Sequence, residues 1–151
     1  MSPRLSSDHV DAWRALLTSH AELTERIDTA LRAAGVIPLR WYDALLCLYE
    51  APGRRLRLAE LAKAALLSRS GLSRLVDRLE EAGLLTREPC QDDARGAYAV
   101  LTSEGLHALR RCWRVYGPEI EARVGRRLTL AEARTLRGLL VRLLEAEAER
   151  A

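Results

Sequence analysis

Residues 56–105 read LRLAELAKAALLSRSGLSRLVDRLEEAGLLTREPCQDDARGAYAVLTSEG, and this stretch decides the fold. AELAKAA (59–65) is rich in good helix formers and predicts a short helix, although Arg57, Leu58 and Ala59 offer no side chain suited to capping it. Leu66 and Leu67 lead to Ser68, whose hydroxyl is suited to cap a second helix running to Gly83, a natural terminator just past the last turn. LLTRE (84–88) and YAVL (98–101) then read as two short β-segments around the polar loop PCQDDARGA (89–97). They form a hairpin whose tip is too long and charged for a tight turn.

On a 3.6-residue wheel, Leu72, Leu75, Val76 and Leu79 share one face of the second helix. Ser70, Ser73, Arg74 and Asp77 lie opposite, with Arg69 and Arg78 on the flanks. The order short helix, turn, capped helix and two-stranded wing is that of a winged helix-turn-helix, in which the second helix enters the major groove of DNA. The outward face suits close approach to base edges: Ser70 and Ser73 supply hydrogen bonds, Gly71 adds no bulk, and Arg74 reaches guanine or phosphate. Asp77 is expected to pair within the helix, with Arg74 or Arg78. At the wing tip, Arg95 is placed to enter a narrow minor groove, whose negative potential favours arginine. Asp93 is expected to orient arginine, because a carboxylate beside phosphate is repelled.

Outward from this core, helix-spaced positions Val10, Trp13, Leu17, His20, Thr24, Ile27, Leu31 and Ala34 form one long seam closed by Gly35. A second helix starts around Pro38, buries Tyr42, Leu45, Leu46 and Tyr49, and stops before Pro52-Gly53. Arg54 to Leu58 reads as a short extended link. Thr102 caps a helix burying Leu106, Leu109, Trp113, Tyr116, Ile120 and Val124, which Gly117-Pro118 must bend or interrupt. Thr129-Leu130-Ala131-Glu132 has the form of a capping box and opens a last helix burying Ala133, Leu136, Leu140 and Leu143.

Apolar residues make up 48% of the 151, enough for one ordinary domain with a real core. No stretch has the roughly 18 uncharged apolar residues of a membrane span, and the N-terminus lacks the apolar segment of a signal peptide, so a cytoplasmic protein without a membrane partner is expected. The 24 basic residues outnumber the 21 acidic ones only slightly, so charge alone does not establish a polyanionic partner. All but Lys63 are arginine, whose planar fork suits phosphate and guanine edges. Cys47, Cys90 and Cys112 are odd in number and form no C-x-x-C pair, which points to reduced thiols, with no metal site and no cofactor.

The pair S-x-S-G-L-S-R-L-V-D-R-L-E-x-x-G-L and D-x-R-G-x-x-x-x-L-T-x-x-G, at this separation, resembles the MarR family of winged-helix regulators, most densely over residues 58–105. The resemblance implies one domain that is mainly α with a small β-wing: a DNA-binding lobe over about 36–101, flanked by dimerisation helices over about 8–35 and 102–150. It also implies a homodimer on double-stranded DNA with a pseudo-palindromic operator, released by a small anionic or aromatic effector or by oxidants. By position, Ser68, Arg69, Ser70, Ser73, Arg74, Arg78 and Arg95 become DNA contacts. Ala59 departs from the small hydroxyl residue usual there and removes any cap or phosphate contact at that position.

For the effector, the resemblance places a pocket between the dimerisation helices and the DNA-binding lobe, where Trp13, His20, Trp41, Tyr42 and Asp43 offer stacking surface and polar handles. Against that stands an ordinary core role for Trp13 and Tyr42, and a packing or interface role for His20. A thiol-based oxidant sensor of the same fold is the alternative mechanism, with Cys90 exposed in the wing but flanked by acids. Catalysis has little support: His9, His20 and His107 are scattered, and no phosphate loop or ligand cluster is present. A protein-binding adaptor is the remaining class, distinguished by weak salt dependence.

Overall fold

The computed structural model describes residues 5–65 and 69–148. Its elements run in the order α1 (Ser7–Ala33), α2 (Leu39–Glu50), a 3-10 turn (Pro52–Arg54), β1 (Arg55–Arg57), α3 (Leu58–Ala64), α4 (Arg69–Glu81), β2 (Leu85–Pro89), β3 (Ala97–Leu101), α5 (Ser103–Ile120), a π-helical turn (Glu121–Gly125) and α6 (Leu130–Ala148). This is a mainly α fold with a small antiparallel wing. The chain divides into two compact units between Tyr116 and Gly117.

In the first unit, Ser6 caps α1 by accepting the Asp8 N–H at 3.2 Å. Gly35 ends that helix at φ +67°, a conformation that costs glycine least. Pro38 stands one residue outside α2, at its N-cap, where proline has no hydroxyl to offer. Asp28 of α1 supplies the missing cap, its Oδ1 accepting the Leu39 N–H at 3.0 Å, so the first two helices are tied end to side. The same division of labour starts α3, where Glu60 reaches back to accept the Arg57 N–H at 3.0 Å.

Residues 54–58, expected as a short extended link, contain a paired strand at Arg55–Arg57. Arg55, Leu56 and Arg57 pair with Val100, Ala99 and Tyr98, giving the three-stranded order β1-β3-β2. Leu56 sets this register: it packs towards the core opposite buried Ala99, while its two arginines face outward. Arg55 lies over the Tyr98 ring at 4.3 Å and Arg57 at 5.7 Å, so the outer face carries a cation–π ladder. On the other side β2 pairs with β3, Leu85 facing Leu101 and Pro89 facing Ala97.

The core runs through Leu31, Leu45, Leu48, Leu61, Val76, Leu79, Leu85 and Cys112, all fully buried. It joins α1, α2, α3, α4, the sheet and α5 into one cluster. The seal between α5 and the wing is tight: Thr102 Oγ1 donates to the Gly83 carbonyl at 2.7 Å and accepts the Gly105 N–H at 3.0 Å. A Cβ on Gly105 would sit 2.1 Å from the Leu84 carbonyl oxygen. Glycine is required there by contact, not by φ.

Several side chains expected in the core lie outside it. Tyr49, Trp113, Leu136 and Leu143 are exposed, and Leu46 is only half-buried. Helical periodicity selects a face without telling which part of it the same chain covers. Of the long seam of α1, only Ile27 and Leu31 are buried, and its N-terminal members Trp13, Leu17 and His20 face solvent. Gly117-Pro118 does not stop α5, which runs on to Ile120 before the π-helical turn.

In the second unit, the capping box forms as its residues dictate. Glu132 accepts the Thr129 N–H at 2.8 Å, and Thr129 Oγ1 accepts the Glu132 N–H at 3.3 Å. Arg123 and Glu119 are paired at 2.6 Å, one turn apart. Leu130, Leu136, Leu139, Val141, Leu143 and Leu144 of α6 are all exposed.

Candidate nucleic-acid interface

Helix α4 is amphipathic in the sense its sequence dictates. Leu72, Leu75, Val76 and Leu79 are buried in the core, which leaves Ser70, Ser73, Arg74 and Arg78 exposed on the remaining surface. Arg69 is the first residue of α4, and Ser68 lies outside the described residues. Gly83 closes the segment at φ +75° and turns the chain into β2.

The partner of Asp77 is not on its own helix. Its Oδ1 receives Arg87 Nη2 from β2 at 2.5 Å. Glu80, one turn further along, takes Arg87 Nη1 at 2.6 Å and the Arg87 backbone N–H at 2.8 Å. Neither Arg74 nor Arg78 is bound to Asp77, because β2 brings a half-buried guanidinium to that edge of the helix. The Arg87 N–H and guanidinium hold the Glu80 carboxyl below the usual carboxylate range. Arg87 in turn is held more firmly charged, chiefly by its bond to Asp77.

The wing tip is folded back on itself. Cys90 donates its N–H to the Gly96 carbonyl at 3.1 Å, and Gly96 donates to the Asp93 carbonyl at 3.1 Å. Asp93 Oδ1 accepts the Arg95 backbone N–H at 3.0 Å, so it shapes the turn and not the arginine side chain. Arg95 itself is exposed. Cys90, expected at the surface, is buried beneath this turn, its Sγ 3.2 Å from where a Cβ on Gly96 would stand.

A cavity of about 380 Å³ opens between α2 and α5, lined by Tyr42, Leu46, Tyr49, Leu106, Leu109, Arg110, Trp113 and Arg114. Tyr42 stacks near Trp113 at 6.5 Å between ring centroids and meets the edge of Tyr116 at 5.1 Å. Burial pushes the Tyr42 and Tyr116 hydroxyls up, so both stay protonated donors at neutral pH. Of the five residues expected around an effector, only Tyr42 belongs to this lining; Trp13, His20, Trp41 and Asp43 lie apart from it. Arg110 and Arg114 had no sequence signal beyond two arginines one turn apart on an amphipathic helix.

The three cysteines are free thiols. Cys112 is fully buried, and desolvation, aided by Asp43 and Asp28, pushes its thiol up to about 11. Cys47 is also shifted up by burial. Among the described residues, no group of three or more His, Cys, Asp and Glu is placed to hold a metal ion, and no helix is long and apolar enough to cross a membrane.

Comparison with known proteins converges on one family. The family model described as MarR family matches residues 35–96, the segment holding α2, α3, α4, β2 and most of the wing loop. Sco3205, a MarR family transcriptional regulator of Streptomyces coelicolor solved in complex with DNA, is 34% identical, with 97% of this chain and 91% of that chain covered and a TM-score of 0.87. AbsC, another such regulator from S. coelicolor, is 30% identical, with 98% and 99% covered and a TM-score of 0.85. The multiple antibiotic resistance protein MarR of Escherichia coli is 32% identical over 85 residues, or 56% of this chain, and the match spans 59% of that relative's length. With its winged fold, its arginine-bearing helix α4 and full-length likeness to two such regulators, this chain belongs to the MarR family of transcriptional regulators.

Proposed function

We propose that the chain is a sequence-specific DNA-binding repressor that acts as a homodimer on a pseudo-palindromic operator. The observation that carries this reading is α4: its leucines are committed to the core, and Ser70, Ser73, Arg74 and Arg78 occupy the exposed surface of the same helix. In this reading Ser68, Arg69, Ser70, Ser73, Arg74 and Arg78 meet the major groove and its flanking phosphates, and Arg95 enters the adjacent minor groove. Sco3205 has been captured in complex with DNA, which supports the same use of the winged fold here.

A single copy presents one recognition helix, and a two-fold partner presents the second about one helical turn away. The exposed Trp13 and Leu17 of α1, and the exposed leucines of α6, supply apolar surface of the kind that twins cover. Residues about 36–101 form the DNA-binding lobe in this scheme, and the terminal helices the dimer contacts.

For release, the cavity between α2 and α5 suits a small anionic aromatic ligand: Tyr42 and Trp113 offer ring faces, and Arg110 and Arg114 offer charge. Such a ligand weakens operator binding by favouring another spacing of the recognition helices. Oxidant release has less support, since Cys90 and Cys112 are buried and Cys112 is held protonated. A salt titration of binding to a duplex selected from a random pool tests the central reading. Affinity should fall steeply and log-linearly with salt; a salt-independent interaction with protein and none with DNA would point to an adaptor.

A further inference from the structure

Arg87 lies outside every surface assigned above, yet it makes the densest set of polar contacts between two elements of the wing and recognition helix. Its strand alternates: Leu85 is buried, Thr86 exposed, Arg87 half-buried and Glu88 exposed, so Arg87 shares the inner side of the sheet with Leu85. From there one guanidinium spans two carboxylates one turn apart on α4, Asp77 at 2.5 Å and Glu80 at 2.6 Å, and the Arg87 backbone N–H adds a second bond to Glu80 at 2.8 Å, three in all. Beyond Pro89 the same strand runs into the loop that carries Arg95.

We propose that Arg87 is a positioning residue that fixes the angle between α4 and the wing, so that helix and wing tip reach their two grooves together. Two directed N–H bonds from a planar fork, plus a main-chain bond from the same residue, restrict rotation of β2 about α4 in a way one point charge does not. A second role, simple neutralisation of two acids beside the DNA-facing helix, makes opposite predictions and is thereby separable. Asp77 is exposed on the helix that meets DNA, so removing its charge alone should tighten binding to a polyanion. Removing a bond of the clamp should weaken it.

The inference rests on the wing reading of Arg95, and its test keeps the two apart. The full-length chain and its Arg87→Lys and Asp77→Asn variants are bound to a duplex selected with the wild type. Minor-groove contacts are read by hydroxyl-radical protection and major-groove contacts by methylation protection at guanine N7. The clamp predicts that both variants bind on the order of tenfold more weakly, lose the minor-groove protection under the wing, keep the guanine protection at saturation, and melt within a few degrees of wild type. Wild-type-like binding and protection by Arg87→Lys, or tighter binding by Asp77→Asn, overturns it. So does parallel loss of both protections with a large drop in melting temperature, which marks a structural role only. If the wild type shows no minor-groove protection at all, the wing reading fails first and the clamp falls with it. Should Arg87→Lys not fold, Asp77→Asn on its exposed carboxylate decides the matter alone.

Discussion

Two residues show how different kinds of constraint set single positions. Gly105 is tied to its place by the Leu84 carbonyl, 2.1 Å from any added Cβ, and that oxygen belongs to backbone already held by the Thr102 N–H. Gly105→Ala should therefore cost roughly 1 to 3 kcal/mol in urea unfolding, the usual penalty for overpacking a tight contact. Cys112 is constrained by dielectric: its folded pKa is about 11, above the ordinary thiol value. The unfolded chain loses that proton first, so the stabilising contribution is complete below the unfolded pKa near 8.5 and is lost as pH rises towards 11. A melting profile should fall more steeply between pH 9 and 11 for wild type than for Cys112→Ala, and Cys112 should resist alkylation of the native chain at pH 8. Equal slopes would show that its titration is not coupled to folding.

At the scale of elements, the proposed recognition divides between α4 and the wing, and the two halves should fail differently. Arg74→Ala should cost roughly 1 to 3 kcal/mol of operator affinity and relax base preference if the guanidinium reads a base edge. Arg95→Ala should weaken binding to all duplexes alike and lower the log-log salt slope by about one. Fluorescence anisotropy across a salt series measures both. The pattern of apolar positions and the stop at Gly83 made α4 legible in the sequence, because a helix ending at that glycine has one way to bury Leu72, Leu75, Val76 and Leu79 together. β1 was legible only as an extended link, since three residues with a single apolar position carry too little period-two signal to announce their pairing with β3. Asp77 was misread for a related reason: i,i+4 spacing describes only one helix, and its partner comes from ten residues downstream on a strand. Cys90 looked exposed because the loop is polar, and the turn ordered by Asp93 and Gly96 covers it. The aromatic and arginine lining of the cavity required knowing that α2 lies along α5, which no local pattern states.

For the whole molecule, the exposed apolar side chains are concentrated near the two ends of the sequence, Trp13 and Leu17 on α1 and six residues on α6. In the proposed dimer a twin covers them, and light scattering should give a mass of two chains. Charged replacements at Leu136 and Leu143 should shift the chain towards monomer and reduce operator affinity in step. Arg110→Ala should leave operator affinity unchanged while weakening any release by a salicylate-like anion in a gel-shift titration. The account as a whole turns on paired α4 helices reading paired half-sites. Its most direct test is selection of duplexes bound by the full chain from a random pool: an inverted repeat with half-site centres about 10 base pairs apart is predicted. Recovery of unrelated sequences, or of a lone half-site with no symmetric partner, would contradict it.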